Sequence, residues 1–123
     1  MKLRIRENTI RLRLTKSEVE TFKDSGSINC SLDFGLKQLH YSLRRSRVEQ
    51  AQASYFDDQI AIFLPEAIAN HWTDTDEVSI QDTIEIKHDV RLQILIEKDF
   101  QCLTHRGTED DDTFPNPNAV EFL

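Results

Sequence analysis

Cysteine is scarce in this chain: Cys30 and Cys102 are the only two, too few for a disulfide framework, so the fold has to rest on a packed core. Glycine is equally scarce. Of the three present, none sits in a pattern that cradles phosphate, which removes nucleotide-binding loops from the candidates. Apolar runs are short as well, the longest being residues 60–64, far from the ~20 needed to span a bilayer. Met1 leads directly into charged Lys2-Leu3-Arg4 without an apolar leader. Together these absences predict a soluble protein of the reducing cytoplasm that does not engage a membrane.

What the chain does have is charge, unevenly placed. The formal net charge is -7, yet residues 1–57 carry eleven Lys and Arg against seven Asp and Glu, while residues 58–123 carry four against fifteen. A basic surface can therefore exist on an acidic protein, facing either a partner or the other half of the chain. The overall negative charge opposes the phosphate term that drives non-specific nucleic-acid binding, so a nucleic-acid partner is expected to bind weakly and a protein partner fits better.

Local patterning divides the chain into short elements. Lys2-Leu3-Arg4-Ile5-Arg6 and Ile10-Arg11-Leu12-Arg13-Leu14 alternate polar and apolar, which predicts two half-buried strands joined by a tight turn at Glu7-Asn8. Thr15-Lys16-Ser17-Glu18 has capping-box spacing and starts a short helix with Val19 and Phe22 inward, stopped by Ser25-Gly26-Ser27. Alternation over 27–34 and 39–43 predicts a hairpin, followed by a basic turn at Arg44-Arg45-Ser46-Arg47 and a strand through Ala51, Ala53 and Tyr55. The run Ile60-Ala61-Ile62-Phe63-Leu64 predicts a central strand covered on both faces. Pro65 suits the first turn of a second helix, with Ile68 and Trp72 at helical spacing, and residues 78–80, 84–86 and 91–97 read as closing strands.

Ten positions recur fifty residues on with matching chemistry. Ile10, Leu12, Leu14, Thr15, Phe22, Asp24, Ser25, Ile28, Phe34 and Leu36 align without a gap to Ile60, Ile62, Leu64, Pro65, Trp72, Asp74, Thr75, Val78, Ile84 and Ile86. A repeated unit of this size buries its apolar face against its copy. The pattern predicts an α+β fold: an antiparallel, barrel-like sheet from two internal ββαββ-type repeats, about 8–45 and 58–98, related by a pseudo-two-fold axis, with two short helices at its ends. Phe22 and Trp72 are the expected core anchors. A single domain is expected over 1–106, with 107–123, which holds Glu109-Asp110-Asp111-Asp112 and Phe114-Pro115-Asn116-Pro117, as an acidic tail.

The strand ending in Pro65, the helix ending near Trp72 and the following Asp76-Glu77-Val78-Ser79-Ile80 are together similar to the swapped-hairpin domains of AbrB- and MazE-type bacterial transcription factors. That resemblance implies two units interlocking their hairpins into one barrel, here within one chain, with basic surface residues that contact DNA. Arg11 and Arg13 align with Ala61 and Phe63, so the paired basic face of a symmetric operator-binding dimer is missing. The whole chain, particularly Glu97-Lys98-Asp99-Phe100-Gln101-Cys102 and Phe114-Pro115-Asn116-Pro117, also resembles a family of small uncharacterised bacterial proteins, which implies no activity.

Arg4, Arg6, Arg11 and Arg13 can share one face of a two-stranded ribbon because each pair is two positions apart. Such a stripe suits phosphates, an acidic protein segment, the chain's own tail, or simply water. Cys102-x-x-His105 has the spacing of half a zinc site, with Asp110, Asp111 and Asp112 nearby, but a structural site needs two halves, and Cys30, His40, His71 and His88 are scattered singly. As nucleophile and base the same pair lacks an oxyanion-donating loop, and Glu97, Lys98 and Asp99 alternate between opposite faces of a strand. The expectation is a binding module without metal, cofactor or catalysis, most naturally for a protein. An AbrB-like nucleic-acid-binding regulator and a small metal-dependent or Cys/His hydrolase are the alternatives.

Overall fold

The computed structural model describes residues 1–99; Cys102, His105 and the tail at 107–123 lie outside the described residues, as does the expected domain end at 106. The elements run β1 (Lys2–Arg6), β2 (Thr9–Leu14), α1 (Lys16–Ser25), β3 (Ser27–Asp33), β4 (Gln38–Ser46), β5 (Gln52–Phe56), β6 (Gln59–Pro65), α2 (Glu66–Asp74), β7 (Ser79–Lys87) and β8 (Val90–Lys98). They form two four-stranded sheets, ordered β1-β2-β8-β7 and β3-β4-β6-β5. Each sheet therefore takes one hairpin from each half of the chain.

The fold is α+β, but the antiparallel barrel-like sheet is replaced by two mixed sheets that do not close on one another. In both, the hairpins are antiparallel while the inner strands, β2 beside β8 and β4 beside β6, run parallel. Period-two alternation reports which face of a strand is buried and says nothing of the direction of its neighbour. That direction is set by the helices, each of which carries the chain from one sheet to the other.

Helix α1 forms as its caps dictate. Thr15 Oγ1 accepts from the Glu18 N–H at 3.3 Å, and Glu18 Oε1 accepts from the Thr15 N–H at 2.9 Å. Gly26 ends the helix at φ 86°, its N–H donating to the Phe22 carbonyl. Only glycine takes this backbone without strain, and an added Cβ would stand 3.4 Å from the Arg45 guanidinium, which itself donates to the Lys23 carbonyl. In α2, Pro65 is not in the first turn; it is the last residue of β6 and the N-cap. Ala69 and Trp72 face inward, whereas Ile68 is exposed.

Other boundaries also move. Arg44, Arg45 and Ser46 complete β4 instead of forming a basic turn, and β7 runs unbroken from Ser79, with exposed Val78 ahead of it. The fifty-residue correspondence matches buried residues through Leu12 and Ile62, Leu14 and Leu64, and Phe22 and Trp72. Beyond the helices it slips by two. Ile28, opposite Leu43, finds its counterpart in Ile80, opposite Ile96, because the connection from α2 to β7 is longer than the single Gly26 between α1 and β3. Phe34 and Leu36 consequently have no place in the core.

One core lies between the sheets and under the helices: Ile10, Leu12, Leu14, Ile94 and Ile96 from one sheet, Ile28, Leu43, Ile62 and Leu64 from the other, and Phe22, Ala69 and Trp72 from the helices. The Phe22 and Trp72 rings meet edge to face, centroids 6.2 Å apart at 67°. Trp72 Nε1 donates to the Val78 carbonyl at 3.1 Å, which ties the start of β7 to α2. Both aromatic residues are fully buried, so Phe22→Ala or Trp72→Ala is expected to lower unfolding free energy by about 3 to 5 kcal/mol in urea denaturation. A loss of less than about 1 kcal/mol for either would remove it from the core.

Candidate functional site

The register of β1 and β2 brings the arginine stripe together on one face of its sheet. Arg4 stands directly opposite Arg11, and Lys2 opposite Arg13. Like charges so placed repel, and the third strand supplies the compensation: Glu97 on β8 is the register partner of Arg13. Its Oε1 accepts from Arg11 Nε at 2.7 Å and from Arg13 Nε and Nη2 at 3.0 and 2.8 Å. Arg4 and Arg6 remain exposed. The stripe thus divides into an outer cationic edge and an inner pair that shares the Glu97 carboxylate. Alternation along the strand separates Glu97 from Lys98 and Asp99, and its partners lie more than eighty residues away in the chain.

The corresponding face of the second sheet is polar instead of cationic. Residues two apart on β4, namely His40, Ser42 and Arg44, face Ser31, Asn29 and Ser27 on β3, and face Gln59, Ala61 and Phe63 on β6. Of these, Asn29, Ser31, His40, Ser42, Arg44 and Gln59 line a depression of about 170 Å³. Ser31 Oγ and His40 Nδ1 are 2.8 Å apart, Arg44 Nε donates to Ser42 Oγ at 3.1 Å, and the Arg44 guanidinium lies 5.9 Å from the Phe63 ring centroid. The alternation over 39–43 is the signal for His40 and Ser42, while Arg44, expected in a basic turn, joins them because β4 runs on to Ser46.

A third surface lies where the β3–β4 hairpin reaches past the core. Phe34, Leu36, Tyr55 and Phe56 are 70%, 101%, 73% and 80% exposed. Asp33, Asp57 and Asp58 stand beside them, with Lys37 paired to Asp58 at 3.3 Å. Asp57 and Asp58 form a two-residue turn in which both have positive φ, a conformation aspartate tolerates better than most side chains.

Among the described residues no three His, Cys, Asp or Glu side chains gather to hold a metal ion, and no helix is long and apolar enough to cross a membrane. The half-site at Cys102 and His105 lies outside the described residues.

These features define a two-sheet α+β protein in which each sheet is assembled from a hairpin of each half. The chain belongs to DUF7009, a family of unknown function, whose model matches residues 1–118. No curated protein and no solved structure matches it significantly.

Burial pushes the Glu97 carboxyl up, but the hydrogen bonds and charges of Arg11 and Arg13 outweigh it and hold the group below its ordinary value of 4.5. A carboxyl depressed by folding stabilises the fold above its unfolded pKa, and that contribution is lost as pH falls through the folded value. Glu97→Gln is therefore expected to cost about 1 to 2 kcal/mol at neutral pH, with Arg11 discounted for its exposure, and to shrink the stability lost on acidification below pH 4.5. Glu18 is also held low, burial being outweighed by hydrogen bonds from the Met1 amine and the Thr15 backbone, so part of the acid limb should remain. Urea midpoints measured from neutral to acidic pH test this. An unchanged acid limb would show that the arginine pairs contribute nothing to folding.

Proposed function

We propose that this protein is a non-catalytic, cytoplasmic protein-binding module built from two interlocked copies of one hairpin-exchanging unit. The exchange of hairpins between sheets, with the same strand plan in each, supports the duplication. The observation that carries the binding reading is the exposed cluster of Phe34, Leu36 and Tyr55 at one end of the second sheet. Exposed aromatic side chains at a sheet end offer a partner a large contact area. The aspartates beside them select a partner: an apolar segment flanked by basic residues.

The nucleic-acid reading has less support. Glu97 already engages Arg11 and Arg13, which leaves Lys2, Arg4 and Arg6 as the unengaged cations of the stripe on a chain of net charge -7. Full-length protein is expected to bind labelled duplex DNA weakly at physiological salt in an anisotropy titration. Tight, sequence-selective binding there would favour a regulator.

The partner surface is tested by placing a photo-reactive amino acid at Leu36 in the native cell. The expected result is a defined adduct with a second protein, lost when Phe34→Ser and Tyr55→Ser are added; these exposed positions leave the core intact. An equal yield of the same adduct from Gln52, or adducts only between copies of this chain, would overturn the heterologous-partner reading.

A further inference from the structure

The polar depression on the second sheet is separate from the apolar cluster and from the arginine stripe. We propose that it binds a small tetrahedral oxyanion, inorganic phosphate or the phosphate of a phosphomonoester, through Arg44, Ser42, Asn29 and the Ser31 and His40 pair.

The site is built by strand alternation. Its floor is Ser42, on the outer face of the sheet yet only 6% exposed. Ser42 is small, so the longer Arg44, His40 and Gln59 rise around it. The 170 Å³ enclosed suits a phosphate-sized group. Arg44 is half-buried, and its guanidinium is fixed from two sides, by the Ser42 hydroxyl and by the Phe63 ring. Only Nε is used in that hydrogen bond, which leaves the terminal Nη donors for a ligand. Among the described residues no carboxylate pairs with Arg44, whereas Arg11 and Arg13 have Glu97. A half-buried cation without a counter-charge is a costly arrangement that an anion relieves.

The remaining donors converge from other strands. Ser42 Oγ accepts from Arg44, so its own proton is available to donate. Asn29, opposite Ser42 on β3, offers a side-chain N–H; Ser31 and His40 share one hydrogen bond and leave the second ring nitrogen of His40. Donors arriving from two strands and from both ends of the depression match an anion with several acceptor oxygens better than a planar carboxylate. The hydrogen-bonded Ser31 and His40 are not a nucleophile and base here, because among the described residues no acidic side chain orients the imidazole.

The first sheet supplies an internal comparison. Its own depression is lined by Thr9, Gln81, Thr83, Gln93 and Leu95. Leu95, opposite Arg11, takes the place that Ser42 takes opposite Ala61, and Glu97 takes the place of Arg44. With an acid in that place and Leu95 in place of Ser42, this face lacks the unpaired guanidinium and the hydroxyl that the other offers an anion.

The test is a titration of 15N-labelled full-length protein with inorganic phosphate at constant ionic strength. Saturable shifts are expected at the Asn29 and Gln59 side-chain amides and at Arg44 Nε–H, with Gln81 and Gln93 unmoved and acetate binding more weakly. Arg44→Gln should weaken binding roughly tenfold or more. If that variant fails to fold, Asn29→Ala, at an exposed position, should still weaken it measurably. Tighter binding of glycerol phosphate than of inorganic phosphate would assign an esterified ligand, and equal affinity the free anion. No saturable shift up to tens of millimolar, equal shifts on both sheets, or binding untouched by Arg44→Gln would overturn the proposal.

Discussion

The edge-to-face contact of Phe22 with Trp72 is where the two halves of this chain become one molecule. Each ring sits on the helix that links a hairpin in one sheet to a hairpin in the other, so fixing the two helices against one another fixes which strands meet. Around the rings, Leu12, Leu14 and Ile96 close the core from one sheet and Leu43, Ile62 and Leu64 from the other. The indole nitrogen adds direction by holding the Val78 carbonyl, just ahead of β7. Lys98 lies over the same indole at 5.6 Å and donates to the Thr75 carbonyl, so the end of β8 is tied to the end of α2.

With the interior shared, the outer faces are free to diverge. At matching places, the first sheet sets two arginines around Glu97, and the second sets Phe63 beside Arg44 over a floor of Ser42. The first arrangement gives each of these arginines a carboxylate partner within the chain. The second leaves a cation supported by a ring and a hydroxyl, with no acid beside it among the described residues. A face whose arginines have a carboxylate partner contributes to folding, whereas a face with an unspent donor set is suited to a ligand.

Much of this was legible residue by residue. The capping box at Thr15 and the stop at Gly26 depend on neighbours within one helical turn, and both occur as read. Inward Phe22 and Trp72 follow from helical spacing. The failures share a cause. Ile68 lies one position from Ala69 in sequence, but the buried stripe of a nine-residue helix is too narrow for both, and the packing of the sheets selects Ala69. The fifty-residue alignment continued past the helices because alternation is insensitive to a shift of two, which returns every side chain to the same face.

By itself the sequence determined the caps of α1, the inward aromatic of each helix and the alternating faces of the strands, because those depend on contacts within a few residues or on a periodicity local to the strand. Only the tertiary structure decided strand partners and direction, the meeting of Glu97 with Arg11 and Arg13, and the gathering of Arg44, Ser42, Asn29 and His40 into one depression. These pairings join side chains far apart in the chain, and one-dimensional patterning carries no record of which distant strand lies alongside.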